Sequence, residues 1–270
     1  MHIHISEFNL PFPIYGALYF IGIAVAAVVA VFICKKRELP KYDIVYSAVY
    51  SMIGAAVGAK LLFIIISLND VLEITSSYGL GFWDTMLVLM KGGFVFYGGF
   101  IGGFLGLLIY VKQFKMKLLP FLDVYAAVVP LGHAFGRVGC LFGGCCYGIE
   151  YDGPFAVVYH SSLNVSTPLN TPLLPMQLIE ALGLLLIFAV VLTVYLKGAK
   201  PGTVPVVYIL CYSVMRFTLE FLRSDSERGS FLGISTSQWI SLALIAIVII
   251  SVIFYRSKKV KTLDNEPEKG

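Results

Sequence analysis

Residues 132–148, Gly-His-Ala-Phe-Gly-Arg-Val-Gly-Cys-Leu-Phe-Gly-Gly-Cys-Cys-Tyr-Gly, put one arginine, three cysteines and five glycines after His133, at the end of an apolar segment. Arg137 stands where an apolar span should be closing, and a guanidinium there is costly unless it has a partner or a task. Glycines let the backbone come close to a ligand or turn sharply. A second charged group is Arg216 with Glu220, four apart and so on one helix face, with Arg223 seven after Arg216 on roughly the same face. Two readings stay open for it. It is an ion pair that joins helices, or Arg216 holds a phosphate that Glu220 orients, with Glu220 also able to accept a proton. Arg137 reaches the same depth from another helix end. Two arginines converging at headgroup height match what a phospholipid phosphate needs, forked charge-assisted hydrogen bonds in a low dielectric. The chemistry read from these residues is a lipid-facing anion site.

Cys140, Cys145 and Cys146 contain no C-x-x-C pair, and adjacent cysteines rarely suit one tetrahedral metal. No metal or cofactor is expected, even with His133 and His160 nearby. A Cys140–Cys145 disulfide in an oxidising exterior and a thiol that supports the chemistry both stay open. Cys34 and Cys211 read as packing residues. The run Gly92 to Gly103 has Gly98 with Gly102, and Gly99 with Gly103, four apart. That spacing favours close helix packing over function for the glycines alone. Tyr97 in the same run is either an interfacial aromatic or a hydrogen-bond donor in a site. Lys60 lies deep in a second apolar run, where a buried partner is a better account than snorkelling.

The elements that must position these groups are membrane helices. Hydrophobic residues make up 58% and charged residues 13%; with a mean hydropathy of +0.85 this excludes an ordinary soluble domain. The expected fold is an all-α polytopic bundle of about seven transmembrane helices, near 15–34, 44–68, 93–111, 119–136, 176–196, 203–222 and 236–255. The first is a retained span rather than a signal peptide, because the first ten residues lack a basic region and the apolar run ends in Lys35-Lys36-Arg37. Basic clusters follow spans one, three, five and seven, at Lys35 to Lys41, Lys112 to Lys117, Lys197 with Lys200, and Arg256 to Lys261. They all fall on one side, which the positive-inside rule makes cytoplasmic, so the N-terminus is outside. The whole chain, 1–270, is expected as one integral membrane domain, with external loops near 69–92, 137–175 and 223–235 and a disordered tail over 262–270. Loop 137–175, with Pro154, Pro168, Pro172 and Pro175, forms a small outer cap. No nucleic-acid module is present.

Five stretches in order resemble the prolipoprotein diacylglyceryl transferase family: Tyr15 to Leu18, Gly58 to Leu61, Gly92 to Gly103, Gly136 to Gly148 and Arg216 to Arg223. A sixth, Pro175-Met176-Gln177-Leu178-Ile179-Glu180, is similar to the family's Pro-Ser-Gln-Leu-Tyr-Glu. By position the resemblance makes Tyr15, Tyr97 and Glu220 catalytic residues. It gives Arg137, Arg216, Gly98, Gly99, Gly148 and Cys140 to substrate binding. It implies a multi-pass enzyme of the bacterial inner membrane, active in lipoprotein biosynthesis at the extracytoplasmic leaflet. The implied reaction moves diacylglycerol from phosphatidylglycerol to the lipobox cysteine of a prelipoprotein signal peptide and releases glycerol phosphate. Thiolate attack at a glycerol carbon would expel a phosphate whose developing charge two arginines stabilise.

This chain departs from the family pattern at four places. Tyr97 replaces a histidine, Cys140 and Gly143 replace asparagines, and Cys145 replaces a glutamate. With a pKa of about 10, a tyrosine is a poorer general base than histidine, so the departures bear on thiol activation and acceptor choice rather than on phosphate binding. Three alternatives follow. One is a family paralogue that keeps the phospholipid site but serves a different acceptor. Another is a non-catalytic lipid-binding or transport protein, which lacks support from any broken-helix pair or internal repeat. The third is a thiol–redox protein built on the three cysteines, against which the missing C-x-x-C counts.

Overall fold

The computed structural model describes residues 3–5, 14–79, 81–162, 164, 166–224 and 230–264. Strand β1 (Ile3–Ile5) precedes helices α1 (Ile14–Ile33), α2 (Lys41–Ser77), α3 (Phe82–Lys91), α4 (Phe96–Gln113) and α5 (Leu118–Gly143). Strands β2 (Val157–Tyr159) and β3 (Pro172–Leu173) lead to α6 (Met176–Leu196) and α7 (Thr203–Leu219). A short hairpin, β4 (Ser230–Phe231) with β5 (Ile234–Ser235), opens α8 (Thr236–Asp264).

Among the described residues, α1, α2, α5, α6, α7 and α8 are the six helices long and apolar enough to cross a membrane. The class read from hydropathy, an all-helical polytopic membrane protein, is therefore the observed one. Large apolar side chains cover the outer faces: Phe32, Ile65 and Leu186 are each at least 70% exposed, as expected where hydrocarbon is the solvent. The expected third span exists as α4, an 18-residue helix outside those six, because five glycines and a polar Lys112–Gln113 end dilute its apolar content.

The chain divides into two compact units, Met1–Ala30 with Leu122–Gly270, and Val31–Phe121. In the second unit α2 and α4 meet through glycine. A Cβ on Gly58 or Gly98 would run into the facing backbone carbonyl, and one on Gly102 into that of Gly54, far inside van der Waals distance. The backbones touch because those side chains are missing. Gly102→Val is expected to force the two helices apart and lower the thermal midpoint in detergent by an amount equivalent to about 1–3 kcal/mol. An unchanged midpoint would show that the pair yields without cost. Lys60 finds its partners at a helix end and not in a buried pocket: its Nζ donates to the carbonyls of the exposed Met90 (2.8 Å) and of the half-buried Gly92 (2.9 Å) at the C-terminus of α3. There the helix leaves its last carbonyls unpaired and its dipole favours a cation.

Two segments depart from the expected loops. Segment 69–92 is largely helical, since α2 runs on to Ser77 and α3 follows. The hydroxyls of Thr75, Ser76 and Ser77 bond back to carbonyls within that last stretch, so polar residues continue the helix beyond the apolar run. Segment 137–175 is helical to Gly143. In the first unit, Gly132, Gly136, Gly139 and Gly143 recur every three or four residues and turn a smooth face to α1. A Cβ on Gly22 of α1 would stand 2.6 Å from the Phe135 Cβ and 2.8 Å from the Gly132 carbonyl. Here glycine is a packing surface, not a break. The remainder of that segment does form a small cap: β1 pairs in parallel with β2, and β2 antiparallel with β3, over a core of Ile5, Leu141, Tyr147, Val157, Tyr159 and Leu173. Of the tail expected to be disordered, 262–264 still belong to α8. Residues 265–270, and 225–229 of the last loop, lie outside the described residues.

Candidate functional site

The first unit collects its charged residues around Glu180, whose side chain is 2% exposed. Pro175 caps α6, which starts at Met176, so Glu180 lies one turn inside a largely apolar helix. Arg137, near the end of α5, brings its Nε within 2.8 Å of Glu180 Oε2. Arg223 Nη1 donates to Glu180 Oε1 at 2.8 Å, and Arg216 Nη1 lies 3.5 Å from the same oxygen. Arg216 Nη2 pairs with Glu220 Oε2 at 2.6 Å and donates to Ser237 Oγ of α8 at 3.0 Å. The four-residue spacing read from the sequence is thus a real pair, reached from the last turn of α7.

Among the described residues, three guanidiniums face two carboxylates in a buried setting. Several of these contacts are close without being aligned. Arg137 Nε, Arg216 Nη1, Glu180 Oε2 and Glu220 Oε2 all lie within ion-pair distance of a partner, yet none completes a well-angled hydrogen bond. Buried charged groups normally complete such bonds. An incoming anion with several oxygens can therefore take up donor capacity that the carboxylates leave unused.

Arg223 reaches Glu180 because the chain beyond α7 straightens. A single 3-10 turn, Glu220–Leu222, ends at Arg223 in extended backbone, which pairs with Gly148 as an isolated bridge. Gly148 allows this by its size: a Cβ there would stand 2.9 Å from the Leu174 carbonyl and from Met176 Cγ. Tyr15 lies over the glycine face of α5, with its carbonyl 3.2 Å from where a Gly139 Cβ would be. Arg137, Arg216, Glu220, Cys140, Gly148 and Tyr15 therefore belong to one neighbourhood in this unit. Tyr97, Gly98 and Gly99 open α4 in the second unit. There Tyr97 is 53% exposed, Gly98 is locked against Gly58, and Gly99 rests at ordinary distance on Ala59.

Two members of the ion network were not among the sequence-expected site residues, Glu180 and Arg223. Glu180 carried a readable signal, a lone carboxylate in an apolar run. Nothing local marked it as the hub.

Cys140 is three residues after Arg137 and hence on the same face of α5. The Cys140, Cys145 and Cys146 sulfurs all lie within 4.8 Å of one another, and none of the three is in a disulfide. A turn brings them together although no C-x-x-C spacing links them. Gly144 (φ 70°) and Cys146 (φ 63°) take left-handed backbone and curl the chain back over the end of α5. Gln177, fully buried one turn before Glu180, donates to the Cys145 carbonyl (2.8 Å) and to the Tyr159 hydroxyl (3.2 Å), which itself bonds the Leu141 carbonyl (3.0 Å). Hydrogen bonds from the Cys140 and Cys145 thiols, with the Arg223 and Arg137 charges nearby, hold Cys146 well below the ordinary thiol range.

Comparison with known proteins gives a consistent result. A family model described as prolipoprotein diacylglyceryl transferase matches residues 2–254. The chain is 34% identical over 86% of its length to a protein of Clostridium tetani named phosphatidylglycerol–prolipoprotein diacylglyceryl transferase, covering 89% of that protein. It is 30% identical, over the full length of both, to a second-numbered transferase of the same name from Clostridium perfringens. A Dehalococcoides mccartyi protein of that name is 32% identical over 93% of this chain and 91% of its own.

Proposed function

The chain belongs to the prolipoprotein diacylglyceryl transferase family, and from that premise we propose that it moves diacylglycerol from phosphatidylglycerol to the lipobox cysteine thiol of prelipoproteins. The observation that carries this reading is the buried cluster of Arg137, Arg216 and Arg223 on Glu180 and Glu220, in which Arg137 Nε and Arg216 Nη1 complete no well-angled hydrogen bond. In this reading the phosphate of the donor lipid lies on the arginines. Cleavage of the glycerol–phosphate bond places a second negative charge on that phosphate, and donors already oriented there lower the barrier. Glu180 and Glu220 hold the forks in register. Tyr15 and Gly148 shape the surroundings of Arg137 and Arg223, and Tyr97, Gly98 and Gly99 are assigned to the same reaction from their positions in the family pattern.

The enzyme is assigned to the bacterial plasma membrane, with its site toward the extracytoplasmic leaflet, its N-terminus outside and its C-terminus cytoplasmic. The basic clusters after alternate spans support that orientation. A phosphatase that folds only outside the cytoplasm, fused after Gly270, is expected to stay inactive. Activity of that fusion would reverse the assignment.

The test of the reaction uses purified protein in detergent with phosphatidylglycerol and a fluorescent lipobox peptide, following diacylglyceryl-peptide and glycerol phosphate together. Turnover that Arg137→Ala and Arg216→Ala both abolish supports the transferase. Arginine-dependent lipid binding without any peptide product points to another acceptor, the reading that the substitutions at Tyr97, Cys140 and Cys145 favour. Neither lipid binding nor product would reject both.

A further inference from the structure

We propose that Cys140, Cys145 and Cys146 form a three-thiolate zinc site whose fourth position takes the acceptor thiol. The three sulfurs already lie within 4.8 Å of one another, in no disulfide, at the end of α5. Tetrahedral zinc with bonds of about 2.3 Å separates its sulfurs by about 3.8 Å, so each pair of thiols already lies within about an ångström of that spacing or closer. Soft thiolates select such ions over magnesium or calcium. Among the described residues no histidine or carboxylate joins the cluster. Three protein ligands with an open fourth position is the pattern of a reactive zinc rather than a structural one.

The surroundings are built for it. Gln177, buried to 1% exposure, fixes the Cys145 carbonyl, as outer groups do around metal ligands. Cys140 is one turn beyond Arg137 on α5, and Gln177 is one turn before Glu180 on α6. The thiol cluster and the arginine cluster are thus adjacent along two helices at once. Charge agrees as well. Zinc with three thiolates carries one negative charge, and it would lie beside the cationic side chains of Arg137 and Arg223. A copper(I) ion on the same thiolates would carry two.

The inference rests on the proposed transfer only for the identity of the incoming thiol. That reaction needs a deprotonated sulfur, and the two nearby carboxylates are both engaged with arginines. On entering the fourth position the acceptor thiol gives its proton to solvent and binds as thiolate, as coordinated thiols do. Its sulfur then forms a bond to the glyceryl carbon while the bond from that carbon to the phosphate oxygen breaks. The oxygen keeps the electron pair and leaves as glycerol phosphate on the arginines. The product thioether is neutral and a weak ligand, so it departs and the position reopens. No oxidant or reductant takes part.

Cobalt(II) titrated into the metal-stripped full chain in detergent is expected to raise a thiolate charge-transfer band that saturates at one equivalent and is displaced by zinc. Cys34→Ser and Cys211→Ser should keep the band, and Cys140→Ser, Cys145→Ser and Cys146→Ser should each lose it. No band in the parent chain overturns the metal site and leaves the transferase reading intact. With the peptide assay at neutral pH, stripping zinc is expected to slow transfer by about 30-fold, since a free thiol of pKa about 8.5 is only a few per cent ionised there. The deficit should vanish as the pH rises past that pKa, where the thiolate forms unaided. A band with equal transfer in stripped and zinc-loaded enzyme overturns the thiol-binding step. A band with no transfer under any loading overturns that step and the transferase reading together.

Discussion

Arg137→Lys is expected to lower turnover by about 10²–10³-fold with the protein still folded. Lysine keeps the charge but loses the planar fork, so it cannot hold Glu180 through Nε while presenting its remaining donors to a phosphate. If Arg137 acts on the charge that develops as the glycerol–phosphate bond breaks, the loss falls on kcat and leaves KM for phosphatidylglycerol nearly unchanged. A KM-only effect would reduce Arg137 to a binding residue and shift the electrostatic work to Arg216 and Arg223. The measurement is steady-state transfer over a phosphatidylglycerol range in mixed micelles, with Arg137→Ala as the outer limit.

Glu180→Gln is the substitution with the largest expected effect on stability, about 3–5 kcal/mol. The carboxylate is nearly inaccessible and ties Arg137, Arg216 and Arg223 at once. Glutamine has the same shape, so the loss would come from charge: Arg137, Arg216 and Arg223 would each lose that carboxylate, and Arg216 would keep Glu220. Because the cost is uncompensated charge, removing one guanidinium should return part of it. Glu180→Gln with Arg223→Met is therefore expected to be more stable than Glu180→Gln alone, a coupling that thermal midpoints in detergent would report. A single substitution costing less than about 1 kcal/mol would mean that Glu180 is not the hub, and that water already shields the three charges.

The neighbouring turn depends on the same residues in another way. Gln177 and Glu180 share the first turns of α6 and reach the cysteine turn and the arginines respectively. The start of α6 at Pro175 therefore sets the register of both clusters.

The sequence by itself determined the membrane class, and the positions of the spans to within a few residues for α1, α6 and α7. Hydropathy suffices for this, because in a bilayer the backbone must satisfy its own hydrogen bonds and a long apolar run has little choice but a helix. It also singled out Arg137, Arg216 and Glu220, since a charge inside such a run is conspicuous without any neighbour. What only the tertiary structure decided is how far helices continue and which groups meet. Glycine lowers intrinsic helix propensity, so Gly139 and Gly143 read as a loop; packing against α1 makes the same residues a helix and fixes the direction of Arg137 and Cys140. Lys60 met its partners at the end of α3, a helix absent from the sequence reading because its 10 residues are too few to register as a span. Glu180 became a hub, and the three thiols a cluster, through contacts between residues some 40 apart or across a left-handed turn. Hydropathy is a one-dimensional signal, whereas such convergence depends on the register of one helix against the next.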